Sequence, residues 1–458
     1  MKYSRIYICI KVLKGVDKMK DLKNDLFKNI DLSLDELIRL RRDFHKYAES
    51  GWTEFRTGSK IAEYLEALGL EVKVGEEVID IDSMMGVPGR EVLEEYKKRA
   101  LSQGAKEKYL NLMKNGATGV VGILDTEKEG ATIAFRFDID SLEGIESEDI
   151  THRPINEGFV SINKGNMHAC GHDGHAAIGL VLAKAMNNIK EQLKGKILFV
   201  FQPAEEGTRG AYSMVNKGVF NDVNYLFTGH IGFKSGKLGE LVVNTGGFLS
   251  TTKLDVHYKG RSSHAGATPE KGKNALLAAA TAALNLHTLC QHGDGTARIN
   301  VGVLKAGTGR NVVPDRAEMK IETRGETTEI NDYITQRAIK ILEGAANMYD
   351  VTCEITLAGK AESGYSDKEL SLLVKEASSE VPDITNTVEY TSLSGSEDAT
   401  YMMNKVQQNK GKAVYLMFGT ERTADHHNNG FDFNEEVLKV AVKVYMMTVL
   451  KLYEKEGN

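Results

Sequence analysis

Five short apolar runs constrain the architecture most: GVVGIL (119–124), ATIAFRFD (131–138), KILFVFQ (196–202), NYLFTGH (224–230) and, far downstream, AVYLMFG (413–419). None shows the strict apolar/polar alternation of a strand with one wet face. Each therefore reads as a strand buried on both sides. Helical segments such as HAAIGLVLAKAM (175–186) lie between them. The pattern predicts an α/β protein whose larger domain is a mixed sheet covered by helices. At 458 residues the chain is too long for one core and should divide into two or three domains.

Residues 247–361 break the rhythm. FLSTTKLDVHYKG alternates, KNALLAAATAALNLHTL is helical, and ARINVGVLKAG and AEMKIETRG alternate again. A helix, EINDYITQRAIKILEGAANMYD, and a strand, VTCEITLAG, follow. The order β-α-β-β-α-β is one ferredoxin-like unit. Strand-type runs resume near Asn386. We therefore expect a small domain, 247–361, inserted between the two parts of a larger one, 20–246 and 362–458. Upstream, residues 32–70 read as helix, with Leu37, Ile38, Leu40 and Phe44 at helical spacing and Ser33 as N-cap, before a strand at LEVKVG. A Lys/Glu-rich helical insertion occupies about 84–115.

Composition mainly excludes. The net charge of −6, with both signs mixed and no Lys/Arg block, argues against a nucleic-acid surface. No apolar run reaches the roughly 18 residues of a membrane span. Cys9, Cys170, Cys290 and Cys353 are widely spaced, without a disulfide framework, as expected in a reducing cytoplasm. The N-terminal IYICIKVL is short, carries Lys11 and lacks a small-residue cleavage site, so it is not read as a signal peptide. Met19 is an alternative start, which would make residues 1–18 an upstream extension.

The chemistry concentrates in MHACGHDGH (167–175). Cys170 and His172 stand at i and i+2, so on an extended segment they face one way and can reach one cation. Asp173 is placed to cap the following helix, whose dipole would favour a thiolate. FQPAEEG follows a buried strand; on an extended segment Glu205 and Glu206 project apart, one to ligate a metal and one to face water as a base. Asp138 and Asp140 share a face at another strand end, where Asp140 can orient a ligand from behind. His230 ends NYLFTGH, and one of His426 and His427 can reach the same pocket, with Asn434 capping the last helix. Cys170, His172, Glu206, His230 and His427 make five donors, one too many for a tetrahedral ion. They suit two ions bridged by the Cys170 sulfur.

HACGHDGH, PAEEG, GH, SSHAGATPEKGKNAL, GRNVVP and SGSED, in this order, resemble the amidohydrolase branch of the aminoacylase/carboxypeptidase-type metallopeptidases. The likeness runs over nearly the whole chain from about residue 33. It implies two divalent ions, Mn²⁺ or Zn²⁺, bridged by Cys170, with His172 and His230 on one and Glu206 and His427 on the other. It also implies that Glu205 is the general base and passes a proton from water to the leaving amine. By the same resemblance 20–246 and 362–458 would form the catalytic domain and 247–361 a lid or dimerisation domain, from which His264 would reach across a dimer to stabilise the oxyanion in the partner's site. Asn311 would help hold substrate, and Arg324 would grip its carboxylate.

The implied substrate is a small N-acyl or N-aroyl amino acid. First among these is p-aminobenzoyl-glutamate, split to p-aminobenzoate and glutamate in the breakdown of a folate catabolite. Broader N-acyl-amino-acid or dipeptide deacylation is the alternative, and a catalytically silent member of a hetero-oligomer is a second. The partner would be another copy or a homologous chain. Two departures stand out: DIDSLEG lacks the proline that relatives carry after DxD, and the terminal histidine is doubled in HHNN. His427 is chosen by its offset to FDFNEE, with His426 as the other candidate.

Overall fold

The computed structural model describes residues 23–456, so the readings of the N-terminal apolar run, residues 1–18 and Met19 lie outside it. The five apolar runs all enter one eight-stranded sheet. Its order is Glu71–Val74, Val120–Asp125, Lys196–Gln202, Thr132–Asp138, Tyr225–Ile231, Lys412–Phe418, Glu240–Val242 and Asn386–Val388. The central strands, from Lys196–Gln202 to Lys412–Phe418, run parallel, while antiparallel pairings flank them. Parallel strands need cover on both faces, and both are covered. Helices Leu34–Lys46, Phe55–Ala67, His172–Asn188 and Val437–Glu456 pack one face around Phe135, Phe199 and Phe227. The short helix Ala211–Asn216 and the helix Ala399–Gln408 close the other around Leu226, Met402 and Met417. Among the described residues no helix is long and apolar enough to cross a membrane.

Several local expectations change. The helix expected over 32–70 is two helices, broken between Lys46 and Phe55. Ser33 does not cap by its side chain: its hydroxyl donates to the Asn29 carbonyl of the preceding turn, 2.9 Å away. The insertion contains helix Arg90–Ser102 and one turn at Glu107–Leu110.

Residues 250–361 build a second, antiparallel sheet in the order Ala297–Ala306, Arg316–Gly325, Ser250–Lys259, Thr352–Ala361. Helices Ala275–Leu286 and Thr328–Met348 cover one face, meeting Val256, Met319 and Ile321. Because strand side chains alternate, Lys320, Glu322 and Arg324 share the opposite face. This sheet seats backbone on backbone against the turn that follows Glu206. Lys360 donates its N–H to the Thr208 carbonyl at 3.0 Å. A Cβ on Gly359 would stand 2.2 Å from the Gly207 carbonyl oxygen, so only glycine permits this approach.

A buried charge cluster ties the first helix to the rest. Arg41 is fully buried and donates to Asp173 (2.7 Å), Asp432 (2.8 Å) and Glu435 (3.1 Å). Its guanidinium also lies over the Phe433 ring, 4.5 Å from the centroid. Removing one partner of such a group leaves buried carboxylates uncompensated. Arg41→Leu is expected to lower unfolding free energy by roughly 3–5 kcal/mol, read from urea denaturation; a loss below about 1 kcal/mol, the scale of an exposed pair, would contradict it.

Candidate metal centre

Ligand-type side chains collect at the C-terminal ends of the parallel strands, where open α/β sheets bind ligands. Asp138 ends one strand, Glu205 and Glu206 follow another, His230 lies near the end of a third, and His427 follows the fourth. Gly171, with φ 93°, turns the chain so that Cys170 and His172 both face this rim. The helix begins at His172 itself, so Asp173 is not its cap. Asp173 sits in the first turn, accepts the Gly174 N–H (2.9 Å) and lies 2.8 Å from His45.

Two donor triads share the cysteine: Cys170, His172 and His230 form one, and Cys170, Glu206 and His427 the other. Within each, the candidate atoms lie within 4.8 Å of one another. Hydrogen bonds assign the ring tautomers. His172 Nδ1 donates to the Asp140 carbonyl (2.9 Å) and His230 Nδ1 to the Ile231 carbonyl (2.9 Å). Nε2 of each is then left for the pocket; that of His230 lies 3.4 Å from Cys170 Sγ. His172 Nε2 and Glu206 Oε1 are buried without a hydrogen-bond partner. Unpartnered nitrogen and oxygen beside a thiol form a donor set that suits a divalent cation.

The electrostatics point the same way. Burial, aided by Glu206, holds the Cys170 thiol above its ordinary value, while His172 opposes. His172 is raised despite burial because Asp138 and Cys170 surround it. The nearby Cys170 and Glu206, the latter 3.5 Å from His427 Nε2, push His427 up to about 10 against burial. The pocket thus retains protons in the places a cation would take.

Glu205 and Glu206 occupy a tight turn rather than the extended segment expected, with Ala204 at φ 51° and Thr208 at φ 60°. Asp140 pins this turn: its carboxylate accepts the N–H groups of Glu205 (3.1 Å) and Glu206 (2.9 Å). Glu205 lies within reach of His172 and Glu206 on one side and of Glu397 and Asp398 on the other. Burial, then Glu397 and Glu206, holds its carboxyl well above the usual range.

Several functional neighbours went unassigned in the sequence. Glu397 and Asp398 of SGSED flank Glu205, and Arg136, fully buried, spans Asp138 (2.8 Å) and Glu397 (3.0 Å). His175 bonds Asp138 through Nδ1 and accepts the Ile231 N–H at Nε2 (3.0 Å), so it braces the site. The i, i+3 spacing from His172 was the available signal for it.

Of the paired histidines, the structure brings His427 to Cys170 and Glu206. His426 turns away: its Nε2 donates to the Ile231 carbonyl (3.1 Å) and its Nδ1 accepts from Arg422 (2.8 Å). His264 joins none of these groups, and Asn311 and Arg324 bond elsewhere. His264 is exposed and accepts the Gly266 and Ala267 N–H groups at Nδ1 (3.2 and 3.1 Å). Asn311 is exposed, and its carbonyl accepts the Ala265 N–H. The Arg324 fork is taken up by Glu322 at 2.8 and 3.0 Å, instead of standing open.

Comparison with known proteins gives the family. Residues 134–451 match Peptidase family M20/M25/M40. An indole-3-acetyl-aspartic acid hydrolase from Enterobacter agglomerans is 47% identical over 93% of this chain and 97% of its own length. A p-aminobenzoyl-glutamate hydrolase subunit from Escherichia coli (strain K12) is 46% identical over 91% of this chain and 95% of its own. A crystal structure of an aminobenzoyl-glutamate utilization protein from Klebsiella pneumoniae superposes with a TM-score of 0.81 at 41% identity, covering 93% of this chain and 98% of that one. The chain belongs to peptidase family M20/M25/M40 and is a metal-dependent amide hydrolase.

Proposed function

We propose that the chain hydrolyses the amide of an N-acyl or N-aroyl acidic amino acid, with p-aminobenzoyl-glutamate, cleaved to p-aminobenzoate and glutamate, as its substrate. The observation that carries this is the pair of donor triads sharing Cys170 beside the half-buried Glu205. Two relatives above 45% identity support the substrate class, since they are named for p-aminobenzoyl-glutamate and indole-3-acetyl-aspartic acid.

His172 and His230 would hold one divalent ion, Glu206 and His427 the other, and the Cys170 sulfur would join them; Mn²⁺ and Zn²⁺ both suit these donors. Such ions, when bound, supply Lewis acidity toward a carbonyl and lower the pKa of water. Glu205 takes the proton from the attacking water and returns it to the amide nitrogen as the C–N bond breaks. A carboxyl with a raised pKa suits both transfers. Asp140 holds Glu205 and Glu206 in register through their N–H groups. His264, whose Nδ1 is engaged as an acceptor, carries its proton on Nε2, an outward donor for the oxyanion of a partner's site. Asn311 helps hold substrate, and Arg324 exchanges Glu322 for the substrate's α-carboxylate. The 247–361 unit acts as lid and dimerisation domain, and its partner is another copy or a homologous chain. That the Escherichia coli relative is named for one component of a hydrolase favours the homologous chain.

The test is turnover by the full chain loaded with Mn²⁺ or Zn²⁺ on p-aminobenzoyl-glutamate, indole-3-acetyl-aspartate and neutral N-acetyl amino acids, alone and with any co-encoded homologue. Preference for the two acidic conjugates is expected. Equal or better rates on neutral N-acetyl amino acids would establish the broader deacylase, and no turnover by the loaded chain, alone or partnered, would defeat the proposal.

A further inference from the structure

One cation on the open face of the small sheet has no task in the scheme above. Lys253 lies on the Ser250–Lys259 strand, opposite Glu322 on one side and Gly359 on the other. With Glu206, Arg209, Asn300 and Glu322 it lines a cleft of about 520 Å³ between the ligand-bearing turn and the sheet. The other cations of this face are engaged or solvated: Arg324 is forked onto Glu322, Arg209 donates to the Glu206 and Gly86 carbonyls at 2.9 and 3.1 Å, and Lys320 is exposed to water. Lys253 differs. Among the described residues its ammonium forms no ion pair within 4.0 Å and no hydrogen bond. Burial lowers its pKa, while Glu322 and Glu205 pull the other way without reaching it.

The backbone also bends here. The pairing with Thr352–Ala361 slips between Lys253 and Leu254, leaving Ala358 as the extra residue, and a second slip falls at Gly302, which lines the same cleft. Bulges of this kind re-aim side chains beside active sites. A half-buried ammonium without a counter-charge is poorly compensated until a ligand supplies one.

We propose that Lys253 selects the acidic side chain of the leaving amino acid, its ammonium binding the side-chain carboxylate of an N-acyl glutamate or aspartate while Arg324 takes the α-carboxylate. The inference rests on the proposed N-acyl-amino-acid hydrolysis and specifies its substrate further. The division suits the two groups. A rigid guanidinium fork matches an α-carboxylate held at fixed distance from the scissile bond. A point charge on a flexible four-carbon stem adapts to the one-methylene difference between aspartate and glutamate, the amino acids for which the two relatives are named.

The experiment compares kcat/KM on p-aminobenzoyl-glutamate and p-aminobenzoyl-glutamine, which have one shape and differ in charge. It uses the metal-loaded full chain as wild type, Lys253→Met and Lys253→Arg, with metal content and thermal midpoint checked for each. Wild type is expected to favour glutamate on the order of 100-fold, the scale of a desolvated charge pair. Lys253→Met should bring the ratio to within a few-fold, mainly through a higher KM for glutamate, and Lys253→Arg should restore much of it. A ratio unchanged in Lys253→Met, or an equal fall on both substrates, overturns the assignment. If wild type cleaves neither compound, the hydrolase reading fails separately, and the same ratio is read from binding by calorimetry; equal discrimination by wild type and Lys253→Met there also overturns it.

Discussion

Glu205→Gln is expected to keep its full complement of metal and to lose turnover by roughly 10²–10⁴-fold, the range of a lost general base. The substitution keeps the size of the side chain and removes its proton-accepting charge. Glu205 is in neither triad around Cys170, so those donors remain complete. Folding should not suffer either. Glu205 is held among Glu206, Glu397 and Asp398, and their repulsion with burial raises its pKa. A neutral amide relieves that repulsion, so the thermal midpoint should hold or rise. Metal analysis, a melting curve and kcat on one preparation separate these effects. A variant that retained metal and worked within tenfold of wild type would remove Glu205 from proton transfer.

The fold was legible because burial on both faces leaves a plain mark. ATIAFRFD and KILFVFQ contain too many adjacent apolar residues for a strand with a wet side, and both lie at the centre of the sheet. The small unit was legible from its alternation, as in the Arg316–Gly325 strand, where Met319 and Ile321 enter the core. That donors would gather could also be read, because Glu206 comes after, and His230 one residue before, the end of such a strand. The choice between neighbours could not. His427 rather than His426 faces Cys170 because Arg422 and the Ile231 carbonyl hold His426, and the second of these contacts spans 195 residues. Glu397 stood out only as part of SGSED and took no role from it, since its buried partner Arg136 lies 261 residues away. Ser33 failed as a cap because the chain before it is helical too, offering its hydroxyl a closer carbonyl. Arg324 has its native partner two residues away on the same strand face, a contact that alternation predicts and a search for substrate ligands overlooks.

The other large effect should come from one sulfur atom. With Cys170 present, each triad has three donors and the two are joined through it. Cys170→Ala leaves His172 with His230 and Glu206 with His427, two separated pairs, each short of the three or four protein ligands of a firmly held divalent ion. The variant should therefore retain less than one ion per chain after gel filtration, and its turnover should fall at least as far as that of Glu205→Gln. Proton release gives a readout independent of activity. Ligands bind metal in their deprotonated forms. In the cation-free chain His427 titrates near 10 and Cys170 above the ordinary thiol value, so at pH 7 both carry protons. Metal uptake by wild type must displace them: a weakly buffered solution should acidify on loading, and apparent affinity should strengthen as pH rises from about 6 to about 8. Cys170→Ala should release fewer protons per ion bound, because the thiol's contribution is gone. If it instead held two ions per chain with an unaltered pH dependence, the sulfur would not join the two sites, and the ligand assignment would have to be rebuilt around Asp138, which lies 3.7 Å from His172 and is grouped with His172 and His175.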